Sequence, residues 1–241
     1  MTEPILEELP TATQLASYRI IRLIGCGGFA YTYLVENNER QRFVLKELFP
    51  CGIMVRNHDG SIGLHSSQTE ELEIWQSAVN NFCTEARVLR QINIPSIPQL
   101  VDTFQANNTY YIVQEWILGE SLEKIGVNLP TNQREDKITF VEHLLHSLLD
   151  TLKAIHNEGI LHRDIKPANI MIQDSDRSPI LIDFGGVRLQ IGGVTRNFNE
   201  RIWSLGYSSP EQLSTQGIEQ TQSSDLYSLA ACFYFLLFNT K

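Results

Sequence analysis

Apolar and polar positions change their period part-way along the chain. From Tyr18 the apolar residues come in short runs, Tyr18–Ile24, Tyr31–Val35 and Arg42–Lys46. Such runs, rich in Tyr, Ile, Val and Leu, predict strands. Gly25–Ala30 joins the first two and Asn37-Asn38 the second and third, which predicts an antiparallel meander. Residues 49–68 read as a loop-rich stretch with His58-Asp59-Gly60 as a turn. Phe82, Ala86, Leu89 and Ile92 then recur at three- and four-residue spacing, the period of a helix with one buried face. Two more strands, Val101–Phe104 and Tyr110–Val113, meet at Asn107-Asn108. From Gly119 helices dominate, and Val141, Leu144, Leu145, Leu148, Leu152 and Ile155 set one long apolar face along Phe140–His156. Sheet first and helices after predicts an α+β protein of two lobes. A polar leader broken by Pro4 and Pro10 occupies 1–17, an N-lobe 18–117 and a mainly helical C-lobe 118–241.

Composition narrows the picture. With 241 residues, 42% hydrophobic and 20% charged, the chain has ample core for one large domain or two small lobes. A net charge of −9 argues against non-specific nucleic-acid binding. Cys26, Cys51, Cys83 and Cys232 show no metal-ligand spacing, which argues against a zinc site or a disulfide framework and fits a reducing cytoplasm. Glu3, Glu7 and Glu8 are the opposite of a secretion signal's basic start. The most apolar run, Leu229–Phe238, is ten residues, a buried helix rather than a membrane span.

Three segments carry chemistry. Gly25, Cys26, Gly27, Gly28, Phe29 and Ala30 form a glycine-rich turn between two strands. Glycine lets phosphate oxygens approach the backbone closely, although such hairpins are often plain turns. A strand follows the turn where a dinucleotide-binding fold would place a helix, and no Gly-Lys-Ser/Thr completes a Walker loop. Lys46 ends the apolar run Phe43-Val44-Leu45 and is either an edge lysine or a phosphate-binding charge held by a carboxylate such as Glu85. Finally, His162, Arg163, Asp164, Lys166 and Asn169 crowd into eight residues between apolar runs, and Asp183-Phe184-Gly185 begins fourteen residues after Asn169.

In type and spacing that last set resembles the catalytic loop and Asp-Phe-Gly motif of protein kinases. The resemblance extends over almost the whole chain from Tyr18. Gly25–Ala30 is similar to the glycine-rich loop, Lys46 to the strand-three lysine and Glu85 to the glutamate of helix C. Val113-Gln114-Glu115-Trp116 resembles the gatekeeper and hinge, whose backbone would bond adenine, with Thr32, Val44 and Met171 against its ring. Ser209-Pro210-Glu211 stands in the Ala-Pro-Glu position, and Asp225 resembles the helix F aspartate that holds the catalytic loop. Lys166 follows the serine/threonine pattern rather than the tyrosine one. Lys46-Glu-Leu-Phe-Pro50, the 38 residues between Lys46 and Glu85, and Asp183-Phe-Gly-Gly-Val187 resemble bacterial, eukaryotic-like (Hanks-type) kinases.

The resemblance implies a two-lobed, kinase-like α+β fold, ATP with Mg²⁺ (Mn²⁺ admissible) and a protein substrate bearing a Ser or Thr hydroxyl, autophosphorylation included. Lys46, held by Glu85, would grip the α- and β-phosphates; Asp183 and Asn169 would ligate the cation; Asp164 would accept the hydroxyl proton; Lys166 would steady the γ-phosphate. Arg163 implies control through residues 183–211, with Thr195 the favoured phosphorylation site and Ser204 a structural or substrate-contacting hydroxyl. Ala30 replaces the third loop glycine, Thr32 and Val44 stand where valine and alanine are usual, and Trp203-Ser204-Leu205-Gly206 replaces Gly-Thr-x-Gly. The family continues beyond the helix F pattern, so the C-lobe is expected to be incomplete and helix F to expose an apolar face. Cys26 is either a redox-sensitive thiol or simply a small side chain. An active kinase, a pseudokinase or truncated scaffold that holds nucleotide without turnover, and a small-molecule phosphotransferase are the three readings; the intact catalytic set favours the first, and Arg163 with Ser-Pro-Glu disfavours the last.

Overall fold

The computed structural model describes residues 8–66, 68–128, 134–189, 204–214 and 218–238. The chain divides into two compact units, one of residues 1–90 and 99–116, the other of 91–98 and 117–241.

The first unit is built on a six-stranded antiparallel sheet. Its strands are β1 (Gln14–Leu15), β2 (Tyr18–Cys26), β3 (Ala30–Asn37), β4 (Arg42–Leu48), β7 (Leu100–Ala106) and β8 (Thr109–Glu115), in the order β1-β2-β3-β4-β8-β7. The meander predicted from the strand pattern is present. The Asn107-Asn108 connection between β7 and β8 has both residues at positive φ, 51° and 60°, as a two-residue hairpin turn requires. Between β4 and the helix α1 (Thr69–Gln91) lies a small hairpin, β5 (Met54–Arg56) with β6 (Ile62–Leu64). The sequence reads this stretch as loop because each strand has only three residues.

Strand alternation sorts β3 and β4 into two faces. Tyr31, Tyr33, Val35, Leu45 and Phe49 lie on one, joined in a core by Leu9, Leu15, Met54 and Ile62. Residues of the predicted leader and of the small hairpin therefore cover that face. The other face presents Thr32, Val44 and Lys46: the register pairs Thr32 with Lys46, Leu34 with Val44, and Val44 in turn with Gln114.

The second unit begins with β9 (Gly119–Ser121), α2 (Leu122–Asn128) and α3 (Arg134–Asn157), followed by β10 (Ile160–Leu161), β11 (Ile170–Gln173), β12 (Pro179–Leu181) and β13 (Arg188–Leu189). It ends with the short α4 (Pro210–Leu213) and α5 (Gln222–Phe238). Val141, Leu144, Leu148, Leu152 and Ile155 of α3 are buried, the face predicted by their spacing. Small sheets frame the loops: β12-β11-β9 and β10-β13. At Gly119 any side chain would collide with β11, since a Cβ there would lie 2.0 Å from the Ile172 carbonyl oxygen. On α5, Leu229, Cys232, Phe233 and Leu236 are buried, while Tyr227, Tyr234 and Phe238 are exposed.

Candidate active site

In the first unit, the central observation is the ion pair between β4 and α1. Lys46 Nζ donates to both carboxylate oxygens of Glu85, each at 2.9 Å. Glu85 is 1% exposed and the Lys46 side chain 14%, so the two charges require each other. The pair fixes the ammonium on the sheet face that also carries Thr32 and Val44. The glycine-rich turn is closed by Gly27 N–H donating to Ala30 O at 2.9 Å, with Phe29 exposed at its tip. Neither backbone nor packing demands glycine here. Gly25, Gly27 and Gly28 lie outside the positive-φ positions, and a Cβ on any of them would meet nothing closer than 3.9 Å. The three glycines therefore leave open space beside the turn. At the end of β8, Gln114 is buried, Glu115 is exposed and Trp116 half-buried. The Glu115 N–H donates to Gln99 O at 3.1 Å, and its carboxylate accepts from Gln99 N–H at 3.0 Å.

Opposite strand faces put Lys46 and Glu47 in different company. Glu47 is 0% exposed and accepts from four side-chain N–H and O–H groups. Arg56 donates through Nη1 (3.1 Å) and Nη2 (2.7 Å), Tyr33 through its hydroxyl (3.0 Å) and Tyr111 likewise (2.7 Å). Burial, then the Glu47 charge, pushes both tyrosine hydroxyls well above their ordinary range. The sequence reading missed this network, although an acid that alternation turns inward was its available signal.

In the second unit, four side chains converge on Asp164. Lys166 Nζ donates to Oδ2 at 2.7 Å, and Asn169 Nδ2 donates to the same oxygen at 2.9 Å and to the Asp164 carbonyl at 2.8 Å. Ser204 Oγ donates to Oδ1 at 2.8 Å and accepts from Lys166 at 3.3 Å. His162 Nδ1 accepts from the Asp164 N–H at 3.3 Å, and its Nε2 meets the Ile182 carbonyl at 3.2 Å. That arrangement calls for a neutral ring, and burial does hold the imidazole below its usual pKa against the raising effect of Asp225, Asp164 and Asp183.

Two residues of this site carry strained backbone. Arg163 and Asp183 adopt positive φ, 68° and 63°, in the left-handed region that non-glycine residues rarely enter. Asp225, fully buried, holds the first of these: Oδ2 accepts from His162 N–H (2.9 Å) and from His156 Nε2 (2.8 Å), and Oδ1 from Arg163 N–H (2.8 Å). Gln212 donates to the Arg163 carbonyl at 2.7 Å. The Arg163 guanidinium is buried, donating to Gly186 O at 3.1 Å and to the Gln220 side chain. Asp183 accepts from Gly185 N–H at 3.4 Å, and Phe184 packs buried with its ring edge-on to His162. Glu211 bonds Ser224 Oγ at 2.5 Å. Met171 lies half-buried on β11, opposite Ser121. Thr195 and Trp203 lie outside the described residues.

The amide donors of Asn169 both point at Asp164, which leaves Oδ1 as the end offered to a cation. With the Asp183 carboxylate that makes two hard oxygen donors, the kind of sparse protein set that suits Mg²⁺ bound together with phosphates. Among the described residues there is no cluster of three or more His, Cys, Asp or Glu able to hold a metal by itself.

The protein kinase domain family matches residues 18–241. The chain belongs to the protein kinase family. Serine/threonine-protein kinase D of Synechocystis sp. is 34% identical over 92% of this chain and 41% of its own length. Serine/threonine-protein kinase PknA of Nostoc sp. is 33% identical over 91% of this chain and 36% of its own length. Among solved structures, PpkA-294 in its apo form is 28% identical with a TM-score of 0.79, covering 97% of this chain and 80% of that one. This kinase domain thus has the two-lobed α+β kinase fold expected from its sequence and sits in the bacterial serine/threonine class. The chain spans about two fifths of the length of these curated relatives. None of the helices among the described residues is long and apolar enough to cross a membrane.

Proposed function

We propose that this kinase domain transfers the γ-phosphoryl group of Mg·ATP to a serine or threonine hydroxyl of a protein, in the cytoplasm. The observation that carries the reading is the Asp164 carboxylate, which already accepts a serine hydroxyl at 2.8 Å on one oxygen while Lys166 and Asn169 hold the other. A substrate hydroxyl donating to the same carboxylate has its proton aimed at a base and its oxygen turned toward the phosphoryl group. Lys166, beside that oxygen, supplies positive charge where the transferred group carries its negative charge. Lys46, anchored by Glu85, supplies the second positive charge, directed to the α- and β-phosphates, and Gly25–Ala30 offers backbone N–H groups to the remaining oxygens. Gln114, Glu115 and Trp116, with Thr32, Val44 and Met171, form the adenine-binding set. Asn169 and Asp183 hold Mg²⁺, which neutralises phosphate charge when bound.

The test is transfer of labelled γ-phosphate from Mg·ATP to a generic basic protein, wild type beside Asp164→Ala. Loss of a correctly placed base and orienting group lowers the rate by about 10²–10⁴-fold. Equal labelling by both proteins would sink the proposal, as would a folded wild type that incorporates no label.

A further inference from the structure

One cysteine lies in the glycine-rich turn and a second is bonded against it. Cys26 ends β2 between Gly25 and Gly27, and Cys51 follows β4; both are exposed. The segment after β4 is bonded to the turn. Phe49 N–H donates to Phe29 O and Cys51 N–H to Gly28 O, each at 2.8 Å. The Cys51 thiol itself reaches the Gly27 carbonyl oxygen at 3.4 Å, and Gly27 is the residue directly after Cys26. The other two cysteines are placed differently. Cys83 is half-buried on α1, and Cys232 is buried on α5, where desolvation pushes its thiol pKa up.

A disulfide needs Cα atoms within about 7 Å and correctly aimed side chains. Cys26 is flanked by Gly25 and Gly27, where an added Cβ would meet nothing closer than 3.9 Å, so the backbone beside it is uncrowded and intrinsically permissive. We propose that Cys26 and Cys51 form a reversible disulfide that ties the glycine-rich turn to the chain leaving β4. The bond rests on the contacts that seat Cys51 against Gly27 and Gly28, next to Cys26; its consequence for nucleotide rests on the function proposed above. With hydrogen peroxide as oxidant, one thiolate attacks a peroxide oxygen, the O–O bond breaks, and a sulfenic acid and hydroxide form. The second thiolate then attacks that sulfur and displaces hydroxide. Two thiols lose two electrons and two protons, and peroxide becomes two waters. A dithiol reverses the bond by exchange. Tied in this way, the turn loses the freedom to fit its N–H groups around phosphate oxygens, so oxidation weakens ATP binding.

The experiment treats the chain with peroxide, maps disulfides in non-reducing peptide digests and measures Mg·ATP binding by calorimetry. Expected are a single Cys26–Cys51 bond with Cys83 and Cys232 still thiols, and a Kd for Mg·ATP raised about tenfold or more, restored by dithiothreitol. Cys51→Ser should bind Mg·ATP as the reduced wild type does and show no response to peroxide. Sulfinic acids without a cross-link, or a bond elsewhere, would overturn the site. A Cys26–Cys51 bond with unchanged ATP affinity would overturn its regulatory role. If the reduced protein binds no nucleotide yet the bond forms, the disulfide site stands and the phosphate-binding reading of the turn fails.

Discussion

At the scale of single residues, His162 shows how a side chain able to carry charge can be required in its neutral form by its setting. Its Nδ1 accepts from one backbone N–H, its Nε2 faces a carbonyl, and burial lowers its pKa from the usual 6.5. The unfolded chain therefore binds a proton, at pH values just below 6.5, that the folded protein excludes. The corresponding stability is complete above the unfolded value and is lost as pH falls below it, by at most about 1.4 kcal/mol per pH unit. Urea unfolding at pH 7.5 and 5.5 should show wild type losing more stability on acidification than His162→Gln, which keeps an acceptor and a donor but cannot titrate. Equal losses would assign the pH dependence to other groups. The pairing of Lys46 with Glu85, and the gathering of Lys166 and Asn169 on Asp164, were legible in the sequence through its resemblance to protein kinases. The partners that fix them were less so. Ser204 was read only as a structural or substrate-contacting hydroxyl, and its bond to Asp164 spans 40 residues, while His156 meets Asp225 across 69. No local pattern encodes such pairings.

At the scale of elements, β4 separates two tasks by alternation. Lys46 faces the proposed phosphate site and Glu47 faces the covering hairpin, where Arg56 meets it through two N–H groups. The hairpin was invisible in the sequence because strands of three residues have almost no period, and tertiary contacts rather than propensity hold them. Arg56 also donates to the Gly60 carbonyl at 3.0 Å and stacks over Phe49, so a single side chain ties hairpin, turn and sheet together. Arg56→Met leaves the Glu47 carboxylate buried with its cation removed, a change that costs about 3–5 kcal/mol. Urea denaturation should show that loss, and Glu47→Leu combined with Arg56→Met should recover part of it, limited by the two tyrosine hydroxyls left without their acceptor. A loss below about 1 kcal/mol for Arg56→Met would mean that the network does not hold the hairpin.

At the scale of the whole molecule, the proposed roles are shared between two compact units, so each must hold its own chemical groups in place. In the first unit one ion pair does this. In the second the task falls to Asp225, which links α5, the end of α3 and the loop bearing Asp164. Its carboxylate accepts from two successive backbone N–H groups, those of His162 and Arg163, while Arg163 sits at a φ of 68°. A strained backbone of this kind costs about 1–3 kcal/mol and persists only where its surroundings over-determine it. Asp225→Asn keeps the volume but offers one carbonyl oxygen to two N–H groups and turns an amide NH₂ toward the other. That substitution should cost about 1–3 kcal/mol of stability through the unsatisfied donor. It should also lower phosphotransfer, because the loop can relax from the strained geometry that aims Asp164. The two effects are separable: assayed well below its melting temperature, the folded variant should show reduced kcat with little change in KM for ATP, since the groups proposed to hold the phosphates lie mostly in the first unit. A variant that is less stable yet turns over at the wild-type rate would show that the loop keeps its shape without Asp225.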